Sequence, residues 1–135
     1  MISKQTSIMR FIKDLSKNIQ VYIASPYTTG DVTYNVKFQM DVFNDLLKLG
    51  FFPISPLHPH LQQIVYPLTY EIWMQIDKIH VFKSDCLLRL GGKSDGADRE
   101  VVWATEWEKP IFYSLEELVE HYKEYFSELE TIEIE

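Results

Sequence analysis

The chain has 135 residues, 46% hydrophobic and 24% charged, with a formal net charge of -7. That length and balance fit one globular domain with its own core and exclude wholesale disorder. The acidic excess argues against binding a nucleic-acid polymer, which needs clustered Lys and Arg, but leaves room for a small ligand held by backbone amides.

Cys86 is the single cysteine and sits inside an apolar run. It reads as a buried small side chain, and a reducing, cytoplasmic setting is expected. No apolar run approaches the roughly 20 residues that span a bilayer. The start lacks the long apolar core of a signal peptide, so no membrane partner is expected.

Residues 1–18 read as a leader segment, in which Ile8, Phe11, Ile12 and Leu15 recur at the spacing of a short amphipathic helix. Ile19 to Ala24 is a β-rich run that leaves into Ser25-Pro26-Tyr27. The loop Thr28-Thr29-Gly30-Asp31 offers Asp31 as a helix cap, with Thr33 as the alternative. In the helix that follows, Val36, Met40, Phe43 and Leu47 form the predicted inner stripe, and Gly50 ends it. Phe51 to Ile54 gives a short strand, which runs into a loop rich in Pro and His that carries His58 and His60.

Residues 67–83 predict a helix with Leu68, Ile72, Ile76 and Ile79 inward and with Tyr70, Trp73, Asp77 and His80 on a neighbouring face. Cys86 to Leu90 reads as a buried strand and residues 97–108 as a helix, with Glu100 in its first turn, where the dipole favours the ionised carboxylate. Pro110 to Tyr113 is a last strand. Ser114 to Glu117 resembles a capping box at the start of a final helix, and residues 128–135 form an acidic tail, frayed or an extra edge segment. Strands alternating with helices predict an α/β domain: three layers around a parallel, flavodoxin-like or Rossmann-like sheet of about four to five strands.

In such a sheet, ligands bind at the carboxyl edge. The segments expected to meet there are Tyr22 to Thr29, Asp77, and Ser94 to Glu100. Two carboxyls in one pocket can divide the work, one as nucleophile and one as proton donor, with pKa values pushed apart. That division suits cleavage of a glycosidic bond. Ser94 and the amides around Gly96 could hold a 5′-hydroxyl or 5′-phosphate. His58 and His60, two residues apart without companion ligands, make a poor metal site. Trp103 and Trp107 lie one turn apart on the Glu100 face and read as core or dimer contacts.

Tyr22-Ile23-Ala24-Ser25-Pro26-Tyr27-Thr28 followed by Asn35 resembles the opening of the nucleoside 2-deoxyribosyltransferase-like family. The second half is similar too, with Asp77 ahead of Asp85, the strand Cys86 to Leu90, Ser94-x-Gly96-x-x-x-Glu100 and Lys109-Pro110-Ile111. The likeness spans Val21 to Tyr113. It is nearest to a subgroup carrying this Ser-x-Gly-Ala-x-x-Glu signature, whose relatives include the 2′-deoxynucleoside 5′-phosphate N-hydrolases.

The resemblance implies a domain over residues 19–127. It also implies Glu100 as the nucleophile that forms a glycosyl-enzyme intermediate, Asp77 as the acid that protonates the departing base, and Tyr22 beside the sugar. Ser25, Pro26, Tyr27, Ser94 and Gly96 would bind the substrate. Ser94 matches the phosphate-contacting serine of the hydrolases, where the transferases usually carry aspartate. The further hydrolase serine has only Ser25-Pro26 here, one position out of step.

The expectation is an N-glycosidase acting on a (deoxy)nucleoside or its 5′-monophosphate, without metal or other cofactor, in a homodimer or larger homo-oligomer. The rival readings are deoxyribosyl transfer between bases and a nucleotide-binding sensor without turnover.

Overall fold

The computed structural model describes residues 8–135. The elements run β1 (Met9–Ile12), a 3-10 turn (Leu15–Lys17), β2 (Gln20–Ala24), α1 (Val32–Leu49), β3 (Phe52–Ile54), α2 (His60–Val65), α3 (Tyr70–Lys83), β4 (Cys86–Arg89), α4 (Asp95–Glu106), β5 (Ile111–Phe112), α5 (Leu115–Ser127) and β6 (Thr131–Ile134). The main sheet is parallel with strand order β3-β2-β4-β5, as expected.

Alternation along β2 and β4 divides the core into two. Val21, Ile23, Cys86 and Leu88 pack with Val42 and Leu46 of α1 and Leu118 of α5. Tyr22, Ala24 and Leu87 pack on the other face with Val81 of α3 and with Ala97 and Ala104 of α4. The three-layer α/β arrangement is therefore α1/α5, sheet, α3/α4. Strands buried on both faces explain the unbroken apolar runs in the sequence. No helix among the described residues is long and apolar enough to cross a membrane.

The helix signals act where the sequence places them. Asp31 caps α1 by accepting from the Tyr34 amide at 3.0 Å. Gly50 stops it in the left-handed region at φ 96°, where a Cβ would come within 3.0 Å of the Phe126 ring. Ser114 accepts from the Glu117 amide while Glu117 reaches back to the Tyr113 amide.

Four expectations differ. The leader is a strand and a 3-10 turn rather than a helix: Phe11 and Ile12 lie in β1 and Leu15 in the turn, while β1 pairs antiparallel with β6, the edge-segment alternative for the acidic tail. Residues 1–7 of that leader lie outside the described residues. The Pro- and His-rich loop expected to run through His60 stops at Pro59, and His60 opens a helix, α2, that the sequence did not signal. In α1 the buried face is Asn35, Gln39, Val42 and Leu46, one residue out of step with the predicted stripe, and Met40 is exposed. In α3, Ile72 and Ile79 are each 45% exposed, while Trp73, Asp77 and His80 turn partly inward.

Gln39 shows why the α1 face shifts. It is fully buried. Its Nε2 donates to Ser25 Oγ at 2.8 Å and to the Ile23 carbonyl at 3.3 Å. Its Oε1 accepts from Ser55 Oγ and from the Leu57 amide at 2.9 Å. One amide thus ties together the loops that leave β2 and β3. Replacing it with Leu keeps the volume but strands several buried polar groups, so Gln39→Leu is expected to cost about 2–4 kcal/mol in urea denaturation.

Candidate active site

β2 sits between β3 and β4, so the chain leaves the sheet in opposite directions after β2 and after β4. This switch point opens a crevice at the carboxyl edge. A cavity of about 510 Å³ lies there, of the size small-molecule sites occupy. Its lining draws on the β2 exit (Ser25, Tyr27), on α2 and α3 (His60, Gln63, Trp73, Asp77), and on the start of α4 (Ser94, Gly96, Glu100).

The β2 exit is held from behind. Asn35 of α1 donates to the Tyr27 and Thr29 carbonyls, each at 2.8 Å, which gives the Asn of the opening motif a structural task. Ser25 Oγ accepts from Gln39, so its own proton is free to point to a ligand. Pro26 is buried and does not line the cavity. It presses on Gly91, whose φ of 82° and the 2.7 Å approach of Pro26 Cδ to a would-be Cβ leave room for glycine alone. It stands behind Gly91 rather than among the residues of the cavity wall.

The β4 exit is shaped by Arg89, a residue that sequence reasoning passed over as part of an apolar run. Its guanidinium donates to the Leu90 carbonyl at 2.6 Å, to the Gly92 carbonyl at 2.8 Å, and to Asp98 Oδ1 at 3.2 and 3.3 Å. A lone charged residue at the end of a buried strand was the available signal, since such a group must find partners. The turn so fixed delivers Ser94 as the α4 cap: its Oγ accepts from the Ala97 amide at 3.1 Å. Ser94 is buried yet lines the cavity, so it serves as helix cap while its hydroxyl proton stays available.

α4 begins at Asp95, which puts Glu100 in the second turn rather than the first. The dipole is felt mainly in the first turn, so it does not set the ionisation of Glu100 as expected. Burial does: Glu100 is 8% exposed and its carboxyl is pushed up to about 8 by desolvation. Tyr22, fully buried in β2, donates its hydroxyl to Glu100 Oε2 and thereby favours the ionised form. Tyr22 reaches the site through that contact and does not itself line the cavity.

Asp77 of α3 lines the same cavity and is also raised by burial, to about 7. No ion pair with Lys78 or His80 holds it. Both carboxyls are therefore poised near neutral pH, displaced upward together rather than apart.

Of the two loop histidines, His60 lines the cavity and pairs with Tyr27 Oη through Nδ1 at 2.7 Å, while His58 packs edge-on against Phe43. Trp73 and Trp103 form aromatic wall, with Trp107 packed on Phe82 outside it. Among the described residues no group of three or more His, Cys, Asp or Glu is arranged to hold a metal ion.

No family model matches the chain, and no curated protein matches it. Among solved structures it is similar to a 2-deoxyribosyltransferase from the psychrotolerant bacterium Bacillus psychrosaccharolyticus. Identity is 22%, the match covers 68% of this chain and 69% of that one, and the TM-score is 0.51. At that identity the likeness concerns the fold: a three-layer α/β domain around a parallel sheet.

Proposed function

We propose that the chain breaks the N-glycosidic bond of a 2-deoxynucleoside and passes the sugar to a second base, with Glu100 as nucleophile. The observation that carries the reading is the buried Tyr22–Glu100 pair at the wall of a nucleoside-sized cavity that Asp77 also lines. Likeness in fold to a 2-deoxyribosyltransferase supports transfer over simple hydrolysis. A free 5′-hydroxyl fits the lining better than a phosphate dianion. Asp77, Asp95 and Glu100 bring three carboxyls against one guanidinium, Arg99, which is itself engaged with Tyr70 and Met74.

In the forward step a Glu100 carboxylate oxygen bonds to the anomeric carbon as the C–N bond breaks. The departing base nitrogen takes the proton of Asp77. In the return step a nitrogen of the incoming base attacks the same carbon, the ester to Glu100 opens, and Asp77 recovers the proton. Water attacking instead gives hydrolysis. The aromatic wall of Trp73 and Trp103 suits a flat base.

The test is incubation with a panel of 2-deoxynucleosides, ribonucleosides and their 5′-monophosphates, alone and with an added free base. Exchange of bases is expected with deoxynucleosides. Base release without exchange returns the reading to hydrolysis, and preference for the monophosphates returns it to the nucleotide. Binding without any release leaves only a sensor.

Tyr22→Phe removes the hydroxyl that donates to Glu100 without opening a void. The carboxyl is expected to move above about 8, lowering kcat at pH 7 by about 10-fold and shifting the acid limb of the pH profile to higher pH. KM is expected to hold, because Tyr22 does not line the cavity.

A further inference from the structure

Gln63, the one amide side chain lining the cavity among the described residues, stands on the inward side of α2, and its orientation is fixed by chemistry rather than by fit alone. Its Oε1 accepts from the Trp73 indole Nε1 and from the Leu68 amide at 3.0 Å. Both partners are donors that cannot accept, so only the oxygen can occupy that place. The two lone pairs of the carbonyl are thereby spent. The Nε2 group keeps two N–H donors, and among the described residues no acceptor is paired with it. A neighbour on the same element is pinned in a similar way, His60 by Tyr27 at 2.7 Å, which fixes where α2 sits over the cavity.

An amide that reads an amino-bearing base such as adenine uses both of its ends, the oxygen accepting from the exocyclic amine and the nitrogen donating to a ring nitrogen. Gln63 has only its donor end to offer. We infer that Gln63 reads the nucleobase, and that it selects bases carrying a carbonyl on that edge over bases carrying an exocyclic amine. The inference rests on the nucleoside reading above and sharpens it to a substrate class: oxo-purine and oxo-pyrimidine deoxynucleosides. An amine facing Nε2 sets donor against donor and leaves both unpaired, which is the stronger half of the discrimination.

The test uses hypoxanthine and adenine, which differ at this edge, in two separate readouts. Quenching of tryptophan fluorescence by each free base reports on Trp73 and Trp103 at the cavity wall and needs no turnover. Base release from 2-deoxyinosine and 2-deoxyadenosine reports kcat/KM. The native chain is expected to favour the oxo member by at least about 10-fold in both.

Gln63→Leu is expected to reduce that preference to within about 3-fold. Gln63→Glu keeps one oxygen on Trp73 and Leu68 but turns the free end into an acceptor, so the preference is expected to reverse toward the amino member. Circular dichroism confirms that each variant folds. Equal affinity of the native chain for the two bases, or an unchanged preference in Gln63→Leu, overturns the inference. Oxo-selective binding with no release from either nucleoside sinks the proposed reaction while leaving the base reading intact.

Discussion

Glu100→Gln is expected to reduce base release by at least about 10³-fold, since in the proposed reaction an amide in place of the nucleophile cannot form the sugar ester and leaves only binding and positioning. The same variant is expected to fold and, above pH 8, to be more stable than the native chain. The sign follows from burial. Burial pushes the folded-state carboxyl of Glu100 up to about 8, against an ordinary glutamate value of 4.5. Between those values the folded state holds a proton that the unfolded state has lost. Stability contributed by the neutral carboxyl is full below about 4.5 and is lost as pH rises through about 8.

Gln cannot ionise and escapes that loss. A native chain and a variant that melt together at pH 5 should separate at pH 9 by on the order of a few kcal/mol in favour of the variant. Thermal melts at the two pH values check it, beside single-turnover assays of base release. A variant that loses activity and also loses stability at pH 9 would point to a structural role for Glu100. A variant that keeps activity would remove it as nucleophile.

How far the sequence carries to this site differs by element. The parallel sheet was legible because β2 and β4 are buried on both faces and read as continuous apolar runs. The caps were legible because Asp31, Gly50 and Ser114 act locally. The sheet edge where Ser25, Asp77, Ser94 and Glu100 meet followed from topology alone, and the cavity lies there.

What failed is the assumption that the apolar face of a helix is always its inner face. The N-terminal half of α1 lies over loops rather than sheet, and those loops need amide partners. Asn35 and Gln39 therefore continue inward the row that Val42 and Leu46 complete. α3 covers a cavity, so the face carrying Trp73 and Asp77 turns toward it and Ile72 and Ile79 are left exposed. Arg89 was hidden among apolar neighbours for the opposite reason: a charged group is buried there because two carbonyls and Asp98 satisfy it. The β1–β6 pair was illegible because its two strands come from opposite ends of the chain, and helical spacing in four residues does not separate helix from strand.

Asp77→Asn carries the second large effect. Asparagine keeps the shape but cannot deliver a proton, and release of an ordinary base is expected to fall by about 10²- to 10⁴-fold. A purine nucleoside methylated at N7 sheds its base as a neutral molecule without prior protonation, so its release is expected to change by less than about 10-fold in the same variant. That contrast separates an acid from a residue that merely shapes the cavity, whose loss would slow both substrates alike.

The pH profile gives an independent check. The proposed reaction uses Asp77 protonated and Glu100 ionised, and burial raises them to about 7 and about 8. Activity of the native chain should therefore rise toward pH 8 as Glu100 ionises and fall above pH 7 as Asp77 loses its proton. The result is a narrow bell centred between the two, with apparent values that belong to the pair. In Asp77→Asn the alkaline limb should vanish, leaving a single rise governed by Glu100. An alkaline limb that survives the substitution assigns the acid to another group.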